Sequence, residues 1–471
     1  LLIIKILLWR VEMSEIYKAK NAWLKYDEAG RKNVMDFCEG YRKFISDNKT
    51  ERECALSIIK KAEDKGFKNL NEVDAVKPGD KLYVNKMGKA VALFIVGEEP
   101  LKNGMKILGA HIDSPRLDLK PNPLYEDNEI ALLDTHYYGG IKKYQWVTLP
   151  MAIHGVICKK DGTTVKVNIG DNPGDPVVGI SDLLIHLGSA QMEKKGAKVV
   201  EGEQLNVTVG SIPLDTKEKE NVKLNILNIL EEKYGLSERD FISCELEVVP
   251  AGEARSYGID SSMIMGYGQD DRVCAYTSVE AFFDFDKADK TYVCLLVDKE
   301  EIGSVGATGM HSRFFEDSVA EILDRMGEFK EIDVRRAMAN SVMLSSDVSA
   351  AFDPNYADVF EKKNCAYFGY GPVLNKYTGS RGKSGSNDAN PEYIAKLRDA
   401  FDKNNVTFQI AELGKVDAGG GGTIAYIMGN YGMNVIDSGV AVQNMHAPWE
   451  VTSKIDIYEA YLSYKAFLKE L

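Results

Sequence analysis

His111 and Asp113 open a series of acidic and imidazole groups that continues at Asp270–Asp271, Glu300–Glu301, Asp347 and His446. Imidazole and carboxylate donors without thiolates suit zinc, cobalt or manganese at a hydrolytic centre, rather than a structural cysteine-bound zinc. One cation among so many carboxylates would leave excess negative charge in a cleft. Two divalent ions about 3.5–4 Å apart, bridged by one carboxylate, balance that charge and activate a water. Asp113 shares a face of an extended chain with His111, so it can receive the imidazole's second N–H and orient the ring. In the Glu300–Glu301 pair one carboxylate suffices for a metal, which leaves the other to take the water's proton.

Taken singly, each of these elements is commonplace on protein surfaces; their settings are not. Apolar, strand-like runs lead into three of them: Lys106–Ala110 before His111, Tyr292–Val297 before the glutamate pair, and Ser341–Leu344 before Asp347. Buried strands that deliver polar groups at their carboxyl ends are how open α/β sheets build a site. The glutamate pair is also followed by Ile302-Gly303-Ser304-Val305, too apolar a setting for two unpartnered carboxylates.

The chain that must position these groups has 471 residues, 44% of them hydrophobic and 27% charged, enough for two globular domains. The expected class is α/β, with a mixed central sheet flanked by helices. A helical pattern runs from Ser14 to about Asn48, and strands follow at 81–84, 90–96 and 106–110. From Leu119 to Glu247 the texture changes to short strands and Pro-Gly turns such as Asp171–Pro176, which reads as an inserted, mainly β domain. The division is thus 13–118 and 248–471 for one domain, interrupted by 119–247. Helices at 273–285, 312–326 and 391–404, strands at 292–297, 406–413 and 434–438, and a closing helix complete the pattern. His111 precedes the insertion and the other candidate ligands follow it, so one sheet must reunite them.

A net charge of −13 disfavours nucleic acid or an anionic membrane as partner. The seven cysteines are scattered without a Cys-x-x-Cys motif and read as reduced thiols of a cytoplasmic protein. The apolar run Leu1–Trp9 is too short for a span of about 20 residues and lacks a small-residue cleavage site, so neither a membrane anchor nor export is expected. Met13-Ser14 looks like a natural start, with residues 1–12 an upstream extension.

Five segments, in order, resemble the motifs of the aspartyl aminopeptidase and vacuolar aminopeptidase I family of dinuclear metallopeptidases: Gly109–Leu117, Gln269–Val273, Asp298–Ser304, Ser346–Tyr356 and Asn444–Pro448. The resemblance extends from the N-terminal helix nearly to the C-terminus. It implies a zinc-peptidase-like fold. It further implies that Asp270 bridges two metals, that His111 and Asp347 complete one site and Glu301 and His446 the other, that Glu300 is the general base, and that Asp113 orients. It also implies that the insert is a dimerisation domain and that dimers assemble into a tetrahedral dodecamer. The segment Ile180–Leu187 is similar to the one whose histidine reaches a partner's active site, which makes His186 a substrate-contacting candidate. The alternative for His186 is a half-buried structural residue.

The function expected is therefore removal of the N-terminal residue of peptides, with two divalent ions, zinc first and cobalt or manganese also suited. Carboxypeptidase or N-deacylase activity is the alternative on the same fold, and a non-catalytic assembly protein is the rival of another class, disfavoured because every ligand and the base are retained. Gly382-Lys383-Ser384 is no phosphate loop, since Tyr377 stands where the first glycine is required. Gly419–Gly422 reads as an anion nest, a tight loop or an active-site wall. His136, His154 and His311 read as structural. Lys376, Arg381 and Lys383 read as a solvated loop, or as cations suited to an acidic substrate side chain.

Overall fold

The computed structural model describes residues 19–379 and 381–471. Residues 13–18 of the first domain and the 1–12 extension lie outside these. A nine-stranded mixed sheet forms the centre, in the order Lys68–Asn69, Lys81–Lys86, Ala90–Ile95, Thr291–Val297, Met105–His111, Val342–Ser345, Asn434–Gly439, Val373–Asn375 and Gln409–Ile410. The four middle strands, from Thr291–Val297 to Asn434–Gly439, are parallel to one another. Their runs are apolar on both faces because both are covered. Leu108, Ala110, Cys294 and Leu344 enter a core with helices Glu28–Asp47, Glu51–Asp64, Gln269–Phe282, Pro391–Lys403 and Lys454–Glu470. Ile107, Val293, Leu295 and Met343 enter another with Phe314–Arg325 and Glu331–Ala339.

The interruption builds a separate six-stranded antiparallel sheet from Arg116–Asp127, Ile130–Tyr138, Met151–Cys158, Thr164–Ile169, Val207–Gly210 and Cys244–Pro250. It has its own apolar cluster around Trp146, Leu117 and Val248. A five-stranded sheet includes Met263–Gly266, Glu450–Ser453 and the short strands Ser349–Ala350 and Ala441–Gln443, which directly follow the central strands Val342–Ser345 and Asn434–Gly439 in the chain.

Several expected elements differ. The single N-terminal helix is instead a turn of 3₁₀ helix at Ala22–Lys25 and a new helix from Glu28, because Asn21 and then Asp27 each cap a fresh start. The strand expected over 406–413 shrinks to Gln409–Ile410 at the sheet edge. Helices Glu51–Asp64 and Glu331–Ala339 were not anticipated, and the mainly β segment carries a 14-residue helix, Asn221–Tyr234. Among the described residues no helix is long and apolar enough to cross a membrane.

Candidate metal centre

Parallel registration brings the site together. His111 ends its strand opposite Val297, so Glu300 and Glu301 emerge just beyond the neighbouring strand end. Ser345 pairs with Gly109, so Asp347 emerges on the other side of His111. Asp270 lies at the start of helix Gln269–Phe282, and His446 in the turn between Ala441–Gln443 and Glu450–Ser453, at φ +65°. Three sets of side chains each offer donor atoms within 4.8 Å of one another: His111, Asp270 and Asp347; Asp270, Glu301 and His446; and His111, Glu300 and Glu301.

Both imidazoles turn Nε2 toward Asp270. His111 Nε2 lies 3.3 Å from Oδ1 and His446 Nε2 3.2 Å from Oδ2, so each carboxylate oxygen faces a different ring. The far nitrogens are fixed by acceptors. His111 Nδ1 meets the Asp113 carbonyl at 3.1 Å, and His446 Nδ1 meets the Gly140 carbonyl at 2.8 Å. A carbonyl can only accept, so Nδ1 carries a proton and Nε2, turned inward, is the nitrogen left for a ligand bond once its own proton is displaced. The Asp113 carboxylate accepts the Glu300 and Glu301 backbone N–H groups at 3.1 and 3.2 Å, which sets the turn that presents both glutamates.

The electrostatics are those of an anionic cleft. Burial pushes the Asp347 and Glu301 carboxyls well above the usual range, and neighbouring carboxylates add to the effect. Burial likewise lifts Glu300 to about 7, with His111 opposing and Asp113 and Asp270 adding. Burial disfavours charge on His446, yet its bond to Asp270 and the charges of Asp270 and Glu301 lift it to about 10. Asp270 is lowered despite its burial, because both imidazoles bond to it. The carboxylates that draw protons onto the imidazoles would equally draw cations. Glu301 Oε1 is buried with no hydrogen-bond partner, a hard oxygen donor left over for a ligand bond. The residues present fit divalent zinc.

His186 is not part of this cluster. It lies in the exposed turn Ile185–Leu187, correcting the half-buried alternative. His154 is structural, between Glu53 and Asp171. The His311 ring meets the Tyr426 hydroxyl at 3.0 Å. Lys383 lies 3.6 Å over the Tyr377 ring and pairs with Asp388, while Arg381 and Lys415 line a cavity of about 350 Å³ with Glu412. The Gly379 N–H donates to the Gly421 carbonyl, so that loop and the glycine run pack together, and Ile424 beyond it approaches Gly109 of the His111 strand.

Sequence reasoning missed Glu450, Ser114 and the 138–140 turn. Glu450, fully buried, accepts the Asp270 N–H at 3.0 Å and the His446 N–H at 2.7 Å, tying the backbones of two candidate ligands to one carboxylate. The Ser114 hydroxyl donates to the Asp270 carbonyl. An acidic residue opening the strand Glu450–Ser453 was the available signal for Glu450.

Comparison with known proteins supplies the family. A family model described as aminopeptidase I zinc metalloprotease (M18) matches residues 44–468. A probable M18 family aminopeptidase 1 of Clostridium acetobutylicum is 62% identical over 454 residues, covering 95% of this chain and 98% of the relative. The crystal structure of an M18 family aminopeptidase from Thermotoga maritima has a TM-score of 0.93 at 44% identity, covering 97% and 100% of the two chains. The mApe1 dodecamer of S. cerevisiae, 21% identical with a TM-score of 0.75 over 93% and 97%, shares the fold. A family match over nearly the whole chain and a relative this close leave one assignment: the chain belongs to the aminopeptidase I zinc metalloprotease (M18) family and is an aminopeptidase.

Proposed function

We propose that the aminopeptidase works with two divalent ions, zinc before cobalt or manganese, with Asp270 bridging, His111 and Asp347 holding one, and Glu301 and His446 the other. The observation that carries this reading is that the two oxygens of Asp270 face different imidazoles. When bound, such ions polarise the scissile carbonyl and lower the pKa of water.

Glu300 is the base. Its Oε2 lies 4.0 Å from His111 Nε2, beside the candidate ligands, while its backbone is held by Asp113. Glu300 takes a proton from the attacking water as the water oxygen joins the carbonyl carbon. It returns that proton to the leaving nitrogen as the C–N bond breaks, which releases the N-terminal amino acid and a shortened peptide. Asp113 orients His111 and the glutamate turn. Glu300→Gln is expected to retain its metals and reduce turnover by about 10²–10⁴-fold. Undiminished turnover in the metal-replete variant would remove Glu300 from the mechanism.

The 119–247 insert is read as a dimerisation domain that brings His186 to a partner's pocket, with dimers building a dodecamer like the one named for the yeast relative. Its support is the exposed apolar run beside His186, in which Leu184 is 54%, Ile185 70% and Leu187 67% exposed, the kind of surface a partner chain would cover. A reducing cytoplasmic setting accords with seven free thiols.

A further inference from the structure

The stretch Tyr138-Gly139-Gly140, where the strand Ile130–Tyr138 of the inserted segment ends, meets both sides of the metal centre. The Tyr138 hydroxyl, buried, donates to Asp113 Oδ2 at 2.8 Å. That oxygen also accepts the Glu301 N–H, and the other oxygen of Asp113 accepts the Glu300 N–H and lies 3.3 Å from His111 Nδ1. The Tyr138 ring is itself fixed: the Arg116 guanidinium lies 3.8 Å from its centroid and is pinned by Glu51, Asp118 and Glu247. Two residues on, the Gly140 carbonyl accepts from His446 Nδ1. Between them Gly139 sits at φ +79°, and a Cβ there would lie 3.3 Å from Glu301 Cβ and Oε2 and 3.5 Å from Pro115 Cβ. Only glycine combines that backbone with that clearance.

A buried tyrosine commonly finds whichever acceptor is nearest. Here a hydroxyl and a carbonyl two residues apart fall on the outer hydrogen bonds of opposite ends of one cluster, and the glycine between them leaves room for a third member. We propose that Tyr138-Gly139-Gly140 is a positioning bracket for the metal centre, Tyr138 acting through Asp113 on His111 and the glutamate turn, Gly140 through His446, and Gly139 by admitting Glu301. The inserted segment thereby completes the centre of its own chain. The inference rests on the ligand assignment made above. Groups that orient metal ligands in this way change affinity or activity by about 10–100-fold when lost.

Tyr138→Phe removes one oxygen and leaves the ring under Arg116; Gly139→Ala presses on Glu301 and not on Asp113. Zinc affinity of the full chain, measured by chelator competition, is expected to fall about 10–100-fold in each variant. In Tyr138→Phe, kcat on an aminoacyl nitroanilide is expected to fall with KM unchanged, because the bracket acts on the reacting groups and not on substrate binding. The melting temperature of the zinc-free protein is expected to stay at the wild-type value in Tyr138→Phe. If Tyr138→Phe keeps wild-type zinc affinity and kcat, or lowers only the zinc-free melting temperature, the tyrosine is structural and the bracket is overturned. His446→Ala separates the two layers of the argument. If it loses zinc while Tyr138→Phe and Gly139→Ala hold theirs, the bracket alone fails; if it keeps the full complement, the ligand assignment fails and the bracket with it.

Discussion

Asp270 concentrates the chemistry in one side chain, because each of its oxygens already faces a different imidazole. Asp270→Ala should therefore release the whole metal complement, and counting metals on the purified variant checks it: two tightly held ions per chain would contradict the bridge. The convergence of these groups was legible because apolar strand runs announce polar groups that a sheet must deliver together. Their partners were less so. Glu450 bonds to Asp270 across 180 positions and Tyr138 to Asp113 across 25, and linear order displays neither contact. The cue that Glu450 did offer is its place at the head of a β-branched strand run, Val451-Thr452.

Helix Glu51–Asp64 went unread although Cys54, Ala55, Ile58, Ile59 and Ala62 give it a buried stripe and Thr50 caps it. Its charged flanks resemble the linker before the strands, and its partners lie far off in sequence. Near its start Glu53 faces His154 of the inserted sheet and Lys166, accepts the Lys49 N–H, and shares His154 with Asp171, which also pairs with Lys49. Burial opposes charge on Glu53, but the His154 hydrogen bond and charge, with Lys166, lower it from 4.5 to about 2. A depressed carboxyl stabilises the fold above its ordinary pKa, and that stability is lost as pH falls through the folded value. Thermal melts should show wild type more stable than Glu53→Gln near pH 6, with the difference shrinking as pH drops from 4.5 toward 2. His154, raised by Asp171 and Glu53 against its burial, contributes in the opposite sense, most below its ordinary 6.5. A difference that stays constant through the acid range would mean that Glu53 contributes by packing alone.

At the scale of the molecule, the α/β alternation broken after His111 was readable because turn-rich short strands differ in texture from buried parallel ones. The shortness of the edge strand Gln409–Ile410, expected over 406–413, and the helix Asn221–Tyr234 were not, since tertiary packing overrides local pattern there. The proposed shared site predicts complementation: inactive Glu300→Gln chains mixed with inactive His186→Ala chains should recover part of the activity, as re-associated dimers contain one site with both residues intact. Chains that mix and recover nothing would make His186 structural. The centre itself is tested most directly by anomalous scattering at the zinc edge from crystals grown with zinc. The account predicts two peaks about 3.5–4 Å apart, one beside His111 and Asp347 and the other beside Glu301 and His446, with Asp270 between them. A single peak, or a pair that Asp270 does not bridge, would contradict it.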